Sequence, residues 1–179
     1  DDENLRRISD YTCTALQLAN HWQDVARDLD QNRSYFPIET MEMFGYTPQD
    51  YQNRVYDERW CSMMKHEVDR AQKWFDDGKQ LWDLVDPHLA VDLRMFTFGG
   101  EAILNSIRKQ KYNTWKKRPR VSKFSQLKLF FTARKNWKKE RFLKLQKILQ
   151  KKKSMRFVCF HTRAASFIWD MYVIMRLVM

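Results

Sequence analysis

Only four glycines and four prolines punctuate the 179 residues of this chain. A chain so poor in turn formers has few places to reverse, and it suits long helices better than many short strands. Its apolar residues recur at helical spacing. At 100° per residue, Ile8, Tyr11, Ala15, Leu18, Trp22, Val25 and Leu29 share one broad face, which predicts a buried amphipathic helix from about Leu5 to Asp30. Thr47 followed by Pro48 has the form of a helix cap with proline in the first turn. Met64, Val68, Ala71, Phe75 and Trp82 mark a further helical stretch over roughly Asp57 to Val85, broken by Asp86-Pro87. A third long helix is expected from about His88 to Lys111, interrupted or closely approached at Gly99-Gly100. Trp115 to Ser122, with Pro119, reads as a connection, and a basic amphipathic helix is expected over Lys123 to Gln150. The fold class is all-α.

With 44% apolar residues, among them 7 Trp and 12 Phe, the chain has enough material for one packed domain. Cys13, Cys61 and Cys159 are odd in number and lack CxxC spacing, which points to a reducing compartment and away from a disulfide framework or zinc site. No signal peptide is expected, since the chain opens on Asp1, Asp2 and Glu3, and no run of about 18 apolar residues could span a membrane. The net charge of +11 is divided sharply. Residues 1–107 carry 11 Lys/Arg against 20 Asp/Glu, whereas residues 108–156 carry 20 Lys/Arg against the single acid Glu140. Any partner drawn by overall charge therefore meets the second half, and the first half must be read by its own chemistry.

That chemistry lies on the first helix. Gln17, Asn20, Asp24 and Asp28 fall within a stripe of about 80°, well away from the centre of the apolar face. Asp24 and Asp28, four residues apart, are neighbouring like charges that cost an isolated helix roughly 0.2–0.5 kcal/mol unless neutralised. Mg²⁺ would neutralise them, because it takes oxygen ligands and bridges a few carboxylates to substrate phosphate. Asn20 can offer another oxygen, and Gln17 can hydrogen-bond a diphosphate. A solvated acidic face has the same spacing, so spacing alone leaves both readings open.

The string from Ala15 to Asp28, followed by Arg33-Ser-Tyr-Phe-Pro37, closely resembles the second signature of squalene and phytoene synthases. The match comprises a Gln three residues before an Asn, then an Asp, a second acid four residues on, and an Arg-x-aromatic-x-Pro ending. Gly99-Gly-Glu-Ala-Ile-Leu104 and Arg118-Pro-Arg-Val-Ser-Lys123 are similar to the bacterial hydroxysqualene synthase branch of hopanoid biosynthesis, and the likeness runs over about Leu5 to Trp137. The resemblance implies an isoprenoid synthase-type helical bundle in which Asp24 and Asp28 hold Mg²⁺ and Asn20 supports the metal. Gln17 and Arg33 would approach the diphosphate, with a salt bridge from Arg33 to Asp30 or Glu39 as the alternative. The implied substrates are farnesyl or presqualene diphosphate, joined head to head towards hydroxysqualene or squalene; no individual catalytic residue is assigned. Three departures accompany it. His21 replaces a larger apolar residue, Gly100 stands where some relatives carry a diphosphate-contacting Tyr, and a first Asp-rich helix is missing. Asp76-Asp77 and Asp83 do not replace that helix. The bundle is therefore expected to be incomplete at its N-terminus and inactive on its own.

Residues 1–137 are expected to form the C-terminal part of the synthase-like domain, and 138–179 a basic helix and apolar tail. Trp22, Met64, Phe75, Met95, Phe96 and Phe98 are candidate walls for an apolar substrate cavity, or else plain core. In the basic half, Trp115, Phe130, Phe131, Trp137 and Phe142 interleave with cations as a nucleic-acid surface would. Their helical periodicity favours one packed face instead, and an anionic membrane surface is the preferred partner over nucleic acid. A merely solvated basic face is equally open, and the alternative to an enzyme is an inactive chain whose basic helix binds a membrane surface or nucleic acid. Arg156, Arg163, Asp170 and Arg176 interrupt the apolar tail, and Cys159 with His161 forms no metal constellation. A cytoplasmic location with peripheral membrane contact follows as the expectation.

Overall fold

The computed structural model describes residues 3–122, Lys128 and residues 131–133, and all of them belong to a compact unit spanning Asp1–Trp137. Six helices follow in order: α1 (Glu3–Asp30), α2 (Ile38–Met43), α3 (Pro48–Gln52), α4 (Glu58–Gly78), α5 (Leu81–Leu84) and α6 (Pro87–Lys109). The described residues contain no strand, so the all-α reading holds. The basic helix expected over 123–150 and the tail beyond it lie, apart from those four residues, outside the described residues.

α1 is the central element and packs along both α4 and α6, with α5 laid against α6. Its buried positions include Ile8, Ala15, Trp22, Val25 and Leu29, the expected face, and also Thr12, Ala19 and Gln23. The second set widens the buried arc because two helices cover α1 rather than one. Ala15 and Ala19 are fully buried, and their small side chains let α4 approach closely. From α4 come Trp60, Met63, Met64, Val68, Ala71 and Phe75, all fully buried; α6 adds Leu104 and Ile107. An aromatic cluster closes one end of this core: Trp22 lies 4.6 Å from Phe36, and Trp60 lies 5.4 Å from Phe36 and 4.5 Å from Trp115.

Side-chain caps fix the starts of α3, α4 and α6. Thr47 accepts from the Asp50 amide at 3.0 Å while the Asp50 carboxylate accepts from the Thr47 amide at 3.0 Å, a capping box with Pro48 at the first helical position. Asp57 caps α4 through the Trp60 amide at 3.0 Å, and Asp86 caps α6 through the His88 amide at 2.8 Å. Buried Glu67 ties α2 to α4, accepting from the Thr40 hydroxyl at 2.8 Å and pairing with Arg70 at 2.7 Å.

The helix expected over Asp57 to Val85 is in fact two. α4 stops at Gly78, and α5 begins three residues later. A Cβ on Gly78 would sit 2.2 Å from the Thr12 hydroxyl of α1, so the close crossing there requires glycine, which also weakens helix continuation. At Gly99-Gly100 the helix is approached and not interrupted: α6 runs through both, with the Phe75 ring against Gly100.

Candidate functional site

Gln17, Asn20, Asp24 and Asp28 all lie on α1, as their spacing requires. Gln17 and Asn20 are exposed. The carboxylates are more enclosed, with side chains 25% exposed at Asp24 and 13% at Asp28. His21, next to Asn20, is half-buried and stacks on Tyr35, ring centroids 4.0 Å apart.

The end of α1 explains how Arg33 reaches Asp28. Asn32 adopts a left-handed conformation with φ 56°, which turns the chain back on the helix. The Arg33 amide then donates to the Asp28 carbonyl at 2.8 Å, and its guanidinium donates to Asp28 Oδ1 at 3.1 Å and also to Gln31. The expected alternatives for Arg33 are corrected: Asp30 pairs with Arg54, and Arg33 pairs with Asp28.

Asp24 is held more firmly, by a residue to which sequence reasoning assigned no role. Arg118 donates from Nε to Asp24 Oδ1 at 2.6 Å and from Nη2 to Oδ2 at 2.8 Å, a two-pronged grip. Gln23, buried, anchors the same loop by accepting from Arg118 Nη2 at 2.9 Å and donating to the Pro119 carbonyl at 2.7 Å. Arg27 adds a longer contact of 3.6 Å to Asp24 Oδ1. The Arg118 hydrogen bonds hold the Asp24 carboxyl below its ordinary range against the opposing effect of burial, and Asp24 raises Arg118 in turn. The available signal was Arg118-Pro119: a residue before proline is extended, so its side chain can project from the connection.

Beside this pair opens a cleft of about 540 Å³, lined by Leu16, Gln23, Met95, Phe96, Gly99 and Arg118 among others. Of the expected apolar walls, Met95 and Phe96 stand here. Trp22, Met64 and Phe75 are fully buried core, and Phe98 packs edge-on against Trp82 at 5.7 Å, so these four follow the packing alternative and not the cavity-wall one. A second cleft, about 560 Å³ and lined by Phe44, Lys65, His66, Arg70 and Lys73 among others, contains no member of the α1 stripe. Trp115, considered for base stacking, is engaged by Trp60 and by Tyr51, the latter ring 5.2 Å away.

Among the described residues no three or more His, Cys, Asp or Glu side chains gather as a metal cage. Two carboxylates and a carboxamide on one helix face are instead a sparse, hard-oxygen donor set. It fits Mg²⁺, which keeps much of its water and takes phosphate oxygens. Both carboxylates already attract a cationic group, Arg118 at Asp24 and Arg33 at Asp28.

Residues 1–125 match the family profile described as squalene/phytoene synthase. The chain belongs to the squalene/phytoene synthase family. It is similar to squalene synthase HpnC from Alicyclobacillus acidocaldarius, with 48% identity and a TM-score of 0.62 over 63% of this chain and 43% of that one. A dehydrosqualene synthase solved in complex with ligand shares the fold at a TM-score of 0.61 and 20% identity, over 74% of this chain and 47% of that one. Among curated relatives, the 15-cis-phytoene synthase of Synechocystis sp. is 46% identical over 66 residues, which is 37% of this chain and 20% of the relative. The phytoene synthase of Arthrospira platensis is 28% identical over 107 residues, 60% of this chain and 35% of the relative. The chain thus spans about a fifth to a third of the length of these two curated squalene/phytoene synthase relatives.

Proposed function

We propose that this chain supplies one metal–diphosphate helix of a head-to-head prenyl synthase. The substrates we assign are farnesyl or presqualene diphosphate and the product hydroxysqualene or squalene; the solved relative HpnC is a squalene synthase. The observation that carries this reading is the α1 stripe itself: Asp24 and Asp28 partly exposed on one face, flanked by exposed Asn20 and Gln17, beside a cleft with Met95 and Phe96 in its wall.

In this reading Asp24 and Asp28 would hold Mg²⁺, and Asn20 would support it with its amide oxygen. When bound, Mg²⁺ supplies positive charge that stabilises the diphosphate as a leaving group. Gln17 donates a hydrogen bond to a diphosphate oxygen, and Arg33 offers a guanidinium one turn beyond Asp28. Met95 and Phe96 would give the prenyl chain an apolar wall. Asp24→Asn removes one anionic ligand while keeping shape. Isothermal titration of inorganic pyrophosphate in Mg²⁺ should show affinity falling by about tenfold or more. Unchanged Mg²⁺-dependent binding in Asp24→Asn would overturn the assignment.

A second reading is an inactive chain whose basic half contacts an anionic membrane surface. Nucleic acid is less favoured, because Trp115 is packed between Tyr51 and Trp60 and cannot stack on a base without leaving the core. None of the described helices is long and apolar enough to cross a membrane; the contact in this second reading is peripheral, from the cytoplasmic side.

A further inference from the structure

We propose that Arg118 is the exchange partner of Asp24, a positioning residue that keeps this carboxylate closed to metal until a diphosphate draws the guanidinium away. The proposal rests on the metal–diphosphate reading of α1. It starts from the way Asp24 is occupied. Both carboxylate oxygens are engaged by one guanidinium, Oδ1 by Nε at 2.6 Å and Oδ2 by Nη2 at 2.8 Å, with Arg27 a further 3.6 Å contact on Oδ1. A planar fork seated on both oxygens lies where a divalent cation would approach them, and two positive groups cannot share that position. Asp28 differs. Its arginine, Arg33, reaches one oxygen at 3.1 Å from the next turn of chain, which leaves the other oxygen outside that contact.

Three features make the Arg118 contact an exchange and not merely a surface ion pair. First, the loop backbone is anchored independently of Asp24, because buried Gln23 donates to the Pro119 carbonyl at 2.7 Å and the Ser106 hydroxyl donates to the Arg120 carbonyl at 3.1 Å, so that release costs the guanidinium only its Asp24 and Gln23 contacts. The guanidinium can therefore leave Asp24 while its backbone stays in place. Second, Arg118 and Arg120 both line the 540 Å³ cleft, so a released Arg118 remains where an anion would lie. Third, the charge changes balance. Metal alone at Asp24 would strand a cation beside another cation, whereas metal together with a polyanion gives each positive group a partner. Occupancy by metal and by diphosphate is then coupled, and the coupling is reciprocal.

The test uses the full chain, with Mn²⁺ as a spectroscopic probe for Mg²⁺ and a preformed Mn²⁺–pyrophosphate complex as the anionic probe. Electron paramagnetic resonance reads bound Mn²⁺. The unmodified chain should bind the complex roughly tenfold tighter than Mn²⁺ alone. Arg118→Gln should bind Mn²⁺ alone roughly tenfold tighter than the unmodified chain, and most of its preference for the complex should vanish. Arg118→Lys retains the charge without the fork and should fall between them; it also serves if Arg118→Gln fails to fold by circular dichroism. A purely structural role for Arg118 predicts the opposite, weaker Mn²⁺ binding in both variants. Folded Arg118 variants that bind Mn²⁺ no tighter than the unmodified chain, while Asp24→Asn abolishes binding, overturn the exchange alone. Asp24→Asn that binds both probes like the unmodified chain overturns the metal reading as well.

Discussion

Adjacent glycines on α6 have opposite environments, and single substitutions separate them. A Cβ on Gly100 would fall 2.2 Å from the tip of the Phe75 ring, which is itself fully buried. Gly100→Ala should therefore cost about 1–3 kcal/mol by overpacking. At Gly99 a Cβ meets nothing within 4 Å, so Gly99→Ala should stabilise the helix by up to about 1 kcal/mol. Thermal melts of the two variants check both signs, with shifts of roughly 2–4 °C per kcal/mol for a chain of this size. The same pair explains the departure at Gly100: a tyrosine there could not enter without displacing Phe75. Residue type alone does not tell lining from core. Phe75 and Phe96 look equivalent in the sequence, yet one fills the gap over Gly100 and the other is 59% exposed at the cleft.

For the elements, local chemistry was legible where its partners are close in sequence. The shared face of the α1 stripe and the Thr47-Pro48 cap depend on residues within one or two turns and appear as expected, whereas Asp86-Pro87, read as a break, also caps and opens α6. α3 is only five residues long and is held at its start by the Thr47–Asp50 box. Thr47→Ala should cost about 1 kcal/mol, read as a lower urea midpoint with an unchanged slope. What stayed hidden were events between elements. The break after Gly78 needs the approach of Thr12 from α1, and the clamp on Asp24 needs Arg118, 94 positions away. Periodicity reports which face of a helix is buried; it carries no information on which distant side chain will meet it. For that reason the family wording pointed to Asp24 as an expected metal ligand and left its counter-ion unnamed.

For the whole molecule, charge is divided more sharply than the fold. The acidic half holds the α1 site, and residues 108–156 carry nearly all the excess positive charge. The full chain should bind vesicles rich in anionic lipid and lose them as salt rises, since exposed charges are screened beyond about 8–10 Å at physiological ionic strength. Vesicle flotation across a salt series, beside single-stranded oligonucleotide binding, checks this; retained oligonucleotide binding with no vesicle binding would reverse the preference. The long reach of the Arg118–Asp24 clamp also bears on how the molecule assembles. The α1–α4 crossing at Thr12 and Gly78 lies within the first 78 residues, whereas the clamp joins positions 94 apart, at a loop-closure cost higher by roughly 0.3 kcal/mol. A clamp that closes after the helices have packed predicts that Arg118→Gln speeds unfolding more than it slows folding, read from the two arms of a chevron plot, with the helices in place before the pocket is finished.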